Sequence, residues 1–453
     1  MTQSLQHSFD ILFIGSGQAA WNAAVPLAAA GRKIAVIERH KIAGVCTSYG
    51  CNPKIILDTP IKVMEDAQLY GGHGLESSFS LDWSKLMAHK NSILDPLPDL
   101  VEQRLTGAGV TIVHGEAKFA DPRTVVVDGV SYSAETIVIA AGQRPAELDI
   151  PGGELLKTSD DFLYLPELPQ RIVLIGAGYV AMELASIASK AGAHVEVVQT
   201  SNQALNGFHQ PYAQALVEKM RGDGVVFHFE DRAASLSKQG EETVLKTEKG
   251  LSLHADLVIN ATGRIPNADQ LGLEAAGVEY TGKGIVVDRY LRTSQPNIYA
   301  SGDVLDKKQP RLTPTSVFEA KYLAALLSGA IDAPIQYPPI ATIAFTLPRI
   351  SQIGISPEEA EQSDAYTVKP IELGKQWDFA GRGDTDAHLT LVFDKDGKLA
   401  GAAAYSREAL DIVNALTPVI ALKLSAEQAD QLVYAFPSFE STISGLLRQG
   451  QTK

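Results

Sequence analysis

Two segments of the chain share one plan, and that plan restricts the fold more than any other feature of the sequence. Each consists of an apolar strand, a glycine-rich turn, a helix and a second apolar strand, all within about thirty residues. The first copy comprises Phe9–Ile14, Gly15–Gly17, a helical stretch and Ile34–Ile37; the second comprises Arg171–Ile175, Gly176–Gly178, a helical stretch and Val195–Val198. This order of elements is typical of the dinucleotide-binding unit of α/β proteins.

The small residues of the two turns have separate physical tasks. The first glycine permits the tight turn, and the second lets the backbone approach a pyrophosphate, whose charge the helix N-terminus stabilises. The third small residue allows the helix to pack closely on the strand. These residues are Gly15, Gly17 and Ala20 in the first copy and Gly176, Gly178 and Ala181 in the second. Because one such turn also occurs in many loops, the duplication is the stronger signal, and it predicts a bound flavin and a bound nicotinamide dinucleotide.

Length and charge narrow the function further. The chain has 453 residues, which is too long for one hydrophobic core, so about two to four domains are expected. Its net charge of −14 argues against nucleic acid or an anionic membrane as a partner, because phosphate attraction needs clustered Lys and Arg. The N-terminal segment has no basic start, and its apolar run is too short for a signal peptide or a membrane span. We therefore expect a cytoplasmic protein.

The two cysteines of the sequence, Cys46 and Cys51, lie five positions apart. In a reducing compartment such a pair is more often catalytic than structural, and two ligands alone do not hold a zinc ion, so no metal site is predicted. On a regular helix the pair would be about 7.5 Å apart along the axis, too far for a disulfide. A distorted first turn, with Gly50 and Pro53, would bring the two thiols within reach.

The rest of the chain alternates strands and helices. Three further apolar strands run into glycine-containing turns, in the segments Thr136–Gly142, Leu257–Gly263 and Asn297–Asp303. From about Tyr337 the pattern changes to alternating apolar strands mixed with helices, one of them predicted at Glu408–Leu416. This last part is typical of a separate α+β domain.

The segment Val45–Lys54 reads Val-Cys-Thr-Ser-Tyr-Gly-Cys-Asn-Pro-Lys and lies just after the first dinucleotide unit. With this motif, and over essentially the whole chain, the sequence resembles the flavoprotein disulfide reductases, the family of glutathione reductase, dihydrolipoamide dehydrogenase and mercuric reductase. The resemblance implies an α/β fold with two Rossmann-like dinucleotide-binding domains and a C-terminal α+β dimerisation domain. The implied boundaries are 1–150 and 271–336 for the FAD-binding domain, 151–270 for the NAD(P)H-binding domain and 337–453 for the dimerisation domain.

The resemblance also implies roles around the cysteine pair. Cys51 would face the flavin ring and exchange electrons with it, whereas Cys46 would be the interchange thiol that meets the substrate. Lys54 and Glu183 match the pair beside the reactive nitrogen of the flavin, where a lysine favours negative charge on the reduced flavin and on the nearby thiolate. The alternative for the cysteines is a reduced structural pair, and for Lys54 and Glu183 a surface ion pair.

Other matches concern the two nucleotides. Glu38 would hold the FAD ribose and Asp303 the ribityl chain, while Tyr179 matches the aromatic gate over the flavin. Thr313 matches the start of the helix near the pyrimidine end of the flavin ring, and Arg264 matches an arginine on the nicotinamide side. The remaining positions expected to contact a cofactor are Gly142, Gln199, Gly263 and Gly302.

The sequence departs from the family pattern in two places. The C-terminal signature of the family carries a histidine, which protonates the interchange thiol from across the dimer, and a glutamate further on. Phe436 and Ser441 occupy these positions, and the last histidine of the chain is His388. Glutathione-specific members carry arginines where this chain has Val25 and Pro26. Both departures argue against an ordinary glutathione or lipoamide reductase, and the chain also lacks the C-terminal cysteine pair of mercuric reductase.

The sequence therefore predicts a homodimeric, FAD-containing NAD(P)H oxidoreductase that passes electrons through a Cys46–Cys51 disulfide to a small acceptor. That acceptor should need little proton transfer, as do a metal ion, a quinone, a reactive oxidant or a small disulfide with a good leaving group. NADPH is the expected nicotinamide and NADH the alternative, because Gln199 replaces the acidic residue that binds the NADH ribose. Two other interpretations stay open: an oxidase or quinone reductase working directly from the flavin, and a flavin redox sensor without turnover.

Overall fold

The computed structural model describes residues 7–76 and 78–450, and the chain divides into two compact units. The first unit contains the residues up to Ile56, Met87–Ala146 and Gly263–Gln336; the second contains Leu57–Leu86, Glu147–Thr262 and the residues from Tyr337 onward. The boundaries of the three predicted domains stay a prediction.

The secondary structure alternates strands and helices along most of the chain. The strands are β1 (His7–Ile14), β2 (Ile34–Glu38), β3 (Thr111–His114), β4 (Lys118–Asp121), β5 (Thr124–Val127), β6 (Val130–Ile139), β7 (Gln143–Pro145), β8 (Arg171–Ile175), β9 (His194–Gln199), β10 (Val226–Phe229), β11 (Ala233–Gln239), β12 (Glu242–Thr247), β13 (Ser252–Ala255), β14 (Leu257–Asn260), β15 (Arg264–Pro266), β16 (Tyr280–Thr281), β17 (Gly284–Ile285), β18 (Ile298–Ala300), β19 (Thr342–Ala344), β20 (Arg349–Gly354), β21 (Tyr366–Ile371), β22 (His388–Asp394) and β23 (Leu399–Ser406). The α-helices are α1 (Gln18–Ala29), α2 (Gly44–Ser48), α3 (Cys51–Leu69), α4 (Trp83–Leu94), α5 (Leu97–Gly107), α6 (Ser159–Phe162), α7 (Tyr179–Lys190), α8 (Gln210–Gly222), α9 (Leu273–Ala276), α10 (Thr313–Leu327), α11 (Pro357–Glu361), α12 (Trp377–Gly381), α13 (Ala409–Ala421), α14 (Ala426–Ala429) and α15 (Ile443–Arg448). Short 3₁₀ turns occupy Gly153–Leu155, Gly302–Val304, Leu373–Lys375 and Phe439–Thr442.

The main sheet of the first unit has the strand order β3-β2-β1-β6-β5-β4, with β18 against β6. β1 pairs in parallel with both β2 and β6. Strands inside a parallel sheet are covered on both faces, which is why the second half of β1 is apolar without alternation, with Leu12 and Phe13 completely buried. The glycine-rich turn that follows β1 therefore lies at the carboxyl edge of the sheet, where α/β proteins bind nucleotides.

The second unit repeats this plan and adds two antiparallel sheets. Its parallel sheet has the order β10-β9-β8-β14, and β8 lies between β9 and β14. The antiparallel sheets have the orders β11-β12-β13 and β19-β20-β23-β22-β21. Within residues 7–76 and 78–450, no helix combines the length and the apolarity that a membrane span requires.

The C-terminal part of the second unit is the predicted mixture of strands and helices. Its apolar core lies between the five-stranded sheet β19-β20-β23-β22-β21 and α13, which buries Ile412 and Leu416. The helix predicted at Glu408–Leu416 continues to Ala421. Proline normally ends a helix, but here Val419 and Ile420, which follow Pro418, are buried in the same core and keep the last turn in place.

Candidate active site

The two glycine-rich turns have the same backbone geometry. Gly15 follows β1 and Gly176 follows β8, and both have left-handed φ angles, +102° and +103°. A Cβ atom at Gly15 would lie 2.4 Å from the carbonyl oxygen of Ala140, and one at Gly176 would lie 2.6 Å from that of Ala261. Any other residue would therefore be strained and would collide with the neighbouring strand end, so both positions require glycine.

The residues after these glycines leave room for a phosphate. Gly17 and Gly178 are the N-caps of α1 and α7, and no side chain caps either helix. Ala20 and Ala181 are completely buried in the first turn of these helices, where a larger side chain would hold the helix away from the sheet. Uncapped N–H groups at a helix N-terminus favour an anion, so both turns fit the pyrophosphate of a dinucleotide.

Glu38, the last residue of β2, reaches back to the first turn. One carboxylate oxygen accepts hydrogen bonds from the amide and the hydroxyl of Ser16, at 2.9 and 2.6 Å. The other oxygen accepts from the amide of His40 at 2.8 Å. A carboxylate has about four acceptor positions, so Glu38 is held in place and retains capacity for a ribose hydroxyl.

Gln199, the last residue of β9, has the equivalent position in the second unit. Its Oε1 accepts from the amide of Ala177 at 3.2 Å, as Glu38 accepts from the first turn. Its Nε2 donates to the hydroxyl of Ser201 at 2.7 Å and to the carbonyl of Gln203 at 3.2 Å. The neutral side-chain amide of Gln199 is therefore held by the loop that follows β9. Tyr179, the first residue of α7, is 44% exposed beside this turn.

Two other predicted cofactor positions follow strand ends. Gly142 comes after β6 and Gly263 after β14, with φ angles of +66° and +150°. Arg264 begins β15, which pairs with β7, and its guanidinium donates to the carbonyl of Gln143 at 3.0 Å. Gly263 and Arg264 lie in the first compact unit, whereas the predicted NAD(P)H-binding domain, 151–270, includes both.

The predicted ribityl-binding residue, Asp303, lies in the 3₁₀ turn after β18. Burial raises the pKa of its carboxyl, and the positive charges of Lys307, Arg264 and Arg311 oppose this effect. The hydroxyl of Ser316 donates to the Asp303 carboxylate at 3.4 Å. The Asp303 carboxylate can accept further hydrogen bonds. A ligand hydroxyl is a neutral donor, so it would stabilise this carboxylate without adding a countercharge.

Sequence reasoning missed the residue that supports this turn. Glu319 on α10 is completely buried, accepts from the amide of Gly302 at 2.6 Å and pairs with Lys307 at 2.6 Å. A buried carboxylate must have partners, so Glu319 and Lys307 fix the backbone just before Asp303. The available signal was a glutamate among the apolar residues of α10.

The cysteines lie on two successive helices rather than in the distorted first turn of one. Cys46 is in α2, and Cys51 is the first residue of α3. The chain leaves the helical conformation at Tyr49, with φ −134° and ψ 21°, and this break places the two cysteine side chains within hydrogen-bonding reach of each other. Both thiols are free. The hydroxyl of Thr313, at the start of α10, lies 3.4 Å from Cys51 Sγ.

The pKa values of the two thiols are shifted in opposite directions. A hydrogen bond from Cys46 lowers the pKa of Cys51 to about 6, against the opposing effect of burial and with help from the Thr313 hydroxyl and the charge of Lys54. The same hydrogen bond with Cys51, together with burial, raises the pKa of Cys46 far above that of a free thiol. At neutral pH the reduced pair is therefore a Cys51 thiolate beside a protonated Cys46.

Around the two thiols, the first unit thus brings together four of the predicted residues: Cys46, Cys51, Lys54 and Thr313. Glu183 belongs to the second unit, where it is 4% exposed on α7 and accepts a hydrogen bond from the amide of Phe345 at 2.8 Å. A carboxylate with so little exposure is not part of a surface ion pair.

The residues at the positions of the family's C-terminal histidine and glutamate lie at the surface. Phe436 is 77% exposed, and its ring centroid lies 6.4 Å from that of Trp377, which is 68% exposed. The hydroxyl of Ser441 donates to the carbonyl of Ser438 at 2.6 Å. Neither Phe436 nor Ser441 can transfer a proton at neutral pH as an imidazole does.

Comparison with known proteins identifies the family. Residues 9–320 match the pyridine nucleotide-disulphide oxidoreductases, and residues 340–446 match the dimerisation domain of the same family. The chain belongs to the pyridine nucleotide-disulphide oxidoreductase family. The predicted α/β fold, with two dinucleotide units and a C-terminal α+β domain, is confirmed.

The oxidoreductase matches two bacterial relatives over nearly their full length. It is 31% identical over 437 residues to the glutathione reductase of Burkholderia cepacia, covering 94% of this chain and 95% of that protein. It is 31% identical over 450 residues to the dihydrolipoyl dehydrogenase of Geobacillus stearothermophilus, covering 95% and 93%. The Cu(II) complex of the HOCl-induced flavoprotein disulfide reductase RclA from Escherichia coli has the same fold, with a TM-score of 0.87, 23% identity and coverage of 96% and 99%.

Members of this family use FAD and NAD(P)H, which confirms the predicted cofactors of the oxidoreductase. The geometry of both turns fits them, since each combines an obligatory glycine, an uncapped helix and a polar side chain at the end of the next strand. The preference for NADPH over NADH stays a prediction. The matched dimerisation domain supports a homodimer.

Proposed function

We propose that this oxidoreductase uses NADPH to reduce a small acceptor through the Cys46–Cys51 pair, and that the acceptor is of the kind that takes electrons without a proton, such as Cu(II). The observation that carries the proposal is Phe436, an exposed aromatic side chain at the position of the family's proton-transferring histidine. The roles carried over from the family for Cys46, Cys51, Lys54, Glu183 and the cofactor-contacting residues are part of the same proposal.

The ionisation of the cysteines supports this choice. Two-electron transfer from the nicotinamide to the cysteine pair is the chemistry that bound FAD supplies. The reduced pair holds one proton, on Cys46, and a thiolate at Cys51. Its oxidation to the disulfide releases two electrons and that one proton. Two Cu(II) ions accept one electron each and leave nothing to protonate, whereas a disulfide acceptor releases a thiolate that needs a proton.

Copper also suits the ligands. Thiolates are soft ligands that favour Cu(I), the product of the proposed reaction. The structural neighbour RclA from Escherichia coli is described both as HOCl-induced and as a Cu(II) complex. That neighbour shares the fold at 23% identity, so it supports the choice of copper as the first acceptor to test.

The decisive experiment compares wild type with Cys46→Ser. The FAD-loaded enzyme is reduced with NADPH without oxygen and then mixed with Cu(II), a quinone or glutathione disulfide, while flavin reoxidation and Cu(I) formation are followed. We expect fast reoxidation by Cu(II), slow reoxidation by glutathione disulfide, and at least about a hundredfold loss of Cu(II) turnover in Cys46→Ser. Reduction of the flavin by NADPH should be unchanged in that variant.

Two outcomes contradict the proposal. Full acceptor turnover in Cys46→Ser would mean that the flavin reduces the acceptor directly, as in an oxidase or quinone reductase. Flavin reduction with no multiple turnover on any acceptor would favour a redox sensor.

A further inference from the structure

A buried ion pair in the second unit is linked to Glu183 through Phe345. Arg349 begins β20, and its Nη2 lies 2.7 Å from a carboxylate oxygen of Asp58 on α3. The two side chains are 6% and 1% exposed. Burying two charges is unfavourable unless their geometry is good and their partners are fixed, so this pair imposes one position on both side chains.

The same guanidinium also covers an aromatic ring. The guanidinium carbon of Arg349 lies 4.8 Å from the ring centroid of Phe345, the residue that follows β19. Within the described residues, Nη1 of Arg349 makes no hydrogen bond. The orientation of the guanidinium therefore depends on Asp58 and on the face of the Phe345 ring.

The turn between β19 and β20 is held by its own side chains. The hydroxyl of Thr346 is buried and donates to the carbonyl of Pro348 at 2.6 Å. Arg349 folds back over Phe345 from the far end of the same turn. These contacts support the arrangement of the turn in which the amide of Phe345 donates to the Glu183 carboxylate at 2.8 Å.

We propose that Arg349 is a positioning residue, which holds the Phe345 amide against Glu183 and so fixes the direction of that carboxylate. The inference rests on the proposed function, because the family resemblance assigns Glu183 to the reactive edge of the flavin. A carboxylate that could rotate would present its charge in several directions, and misplacement by about 1 Å is enough to slow a positioned reaction step strongly. Asp58 is the countercharge that makes the buried guanidinium tolerable.

The first test is local and does not use activity. Amide hydrogen–deuterium exchange of the segment around Phe345 is compared in the full-length wild type, Arg349→Met and Arg407→Met. Arg407 is a matched control because its side chain, 8% exposed, also forms an ion pair with α3, to the 36% exposed Asp66 at 2.8 Å. We expect the Phe345 amide to exchange about tenfold faster in Arg349→Met and at the wild-type rate in Arg407→Met.

The second test asks whether Arg349 acts through Glu183. The rate of flavin reduction by NADPH is measured for Arg349→Met, Glu183→Gln and the double variant. We expect each single change to slow reduction about tenfold and the double variant to be no slower than the worse single variant. The rate of flavin reduction in Arg407→Met should stay within about twofold of the wild-type rate. The thermal stability of this variant should fall, because it also loses an ion pair.

Three results would overturn the proposal. They are an unchanged exchange rate of the Phe345 amide in Arg349→Met, an additive loss of about a hundredfold in the double variant, and an equal loss of rate in Arg407→Met. Because flavin reduction precedes the cysteine pair, these results are independent of whether Cys46→Ser retains acceptor turnover, which is the test of the proposed function.

Discussion

The acidity of Cys51 can be tested by removing one of the groups that lower it. With a pKa of about 6, about nine-tenths of Cys51 is thiolate at pH 7, whereas a thiol with the ordinary pKa of 9.0 is about one-hundredth thiolate. Thr313→Val removes the hydroxyl that lies 3.4 Å from Cys51 Sγ. A hydrogen bond to sulfur at this distance, in a partly open site, contributes about 1 kcal/mol, so the pKa of Cys51 should rise by about one unit.

The assay is the pH dependence of alkylation. The fully reduced protein is treated with iodoacetamide at a series of pH values, and modification of Cys51 is followed by mass spectrometry, because only the thiolate reacts. The thiolate fraction increases as pH rises through the pKa, so the alkylation rate should reach half its plateau at about pH 6 in wild type and at about pH 7 in Thr313→Val. Cys46→Ala should shift the midpoint further upward, since the hydrogen bond from Cys46 has the largest effect on this pKa.

Thr315→Val is the matched control. Thr315 lies two residues further along α10, and its buried hydroxyl has no hydrogen-bond partner among the described residues. This variant should keep the wild-type midpoint. A wild-type midpoint above about 8 would refute the thiolate assignment. Equal shifts in Thr313→Val and Thr315→Val would mean that α10 moves as a whole and that the Thr313 hydroxyl has no specific role.

Three further outcomes follow from contacts in the two units. Glu319→Ala should weaken FAD binding at least about tenfold, measured by fluorescence titration of the FAD-free protein, because Gly302 and Lys307 lose a buried partner; unchanged affinity would mean that the turn does not depend on this carboxylate. Gln199→Glu should shift the preference from NADPH toward NADH by about tenfold in kcat/KM, as expected for one altered hydrogen bond; a wild type that already prefers NADH would contradict the predicted nicotinamide. Phe436→His, combined with Ser441→Glu, should raise turnover of glutathione disulfide by about a hundredfold or more if a missing imidazole limits it, and fast wild-type turnover of that disulfide would show that the proton has another source.

The parts of the fold that depend on local pattern could be predicted. The apolar runs at 172–175 and 257–259 lie within β8 and β14, because a strand in a parallel sheet is buried on both faces, and each strand has one polar residue, Arg171 at the start of β8 and Asn260 at the end of β14. The obligatory glycines at 15 and 176 were also predictable, since the strand–turn–helix context demands them. The break between α2 and α3 was not, because no turn residue other than Gly50 marks it.

Contacts between distant segments could not be predicted from the sequence. Arg349 and Asp58 are 291 positions apart, and neither lies in a periodic pattern that would predict a buried charge. Glu319 and Lys307 are closer in sequence, but the amide that Glu319 accepts from, that of Gly302, becomes its neighbour only when β18 joins the sheet. A single sequence records which residues are apolar, and it does not record which charges are paired in the interior.

The unequal acidity of the two thiols has a consequence for the reduction potential of the pair. Above pH 6, where Cys51 is ionised and Cys46 is not, reduction of the disulfide takes up two electrons and one proton. The potential of such a couple falls by about 30 mV per pH unit, half the slope of a dithiol that binds two protons. Reduction of NADP⁺ also takes up two electrons and one proton. The driving force from the nicotinamide to the cysteine pair is therefore independent of pH over the whole range in which Cys51 is a thiolate.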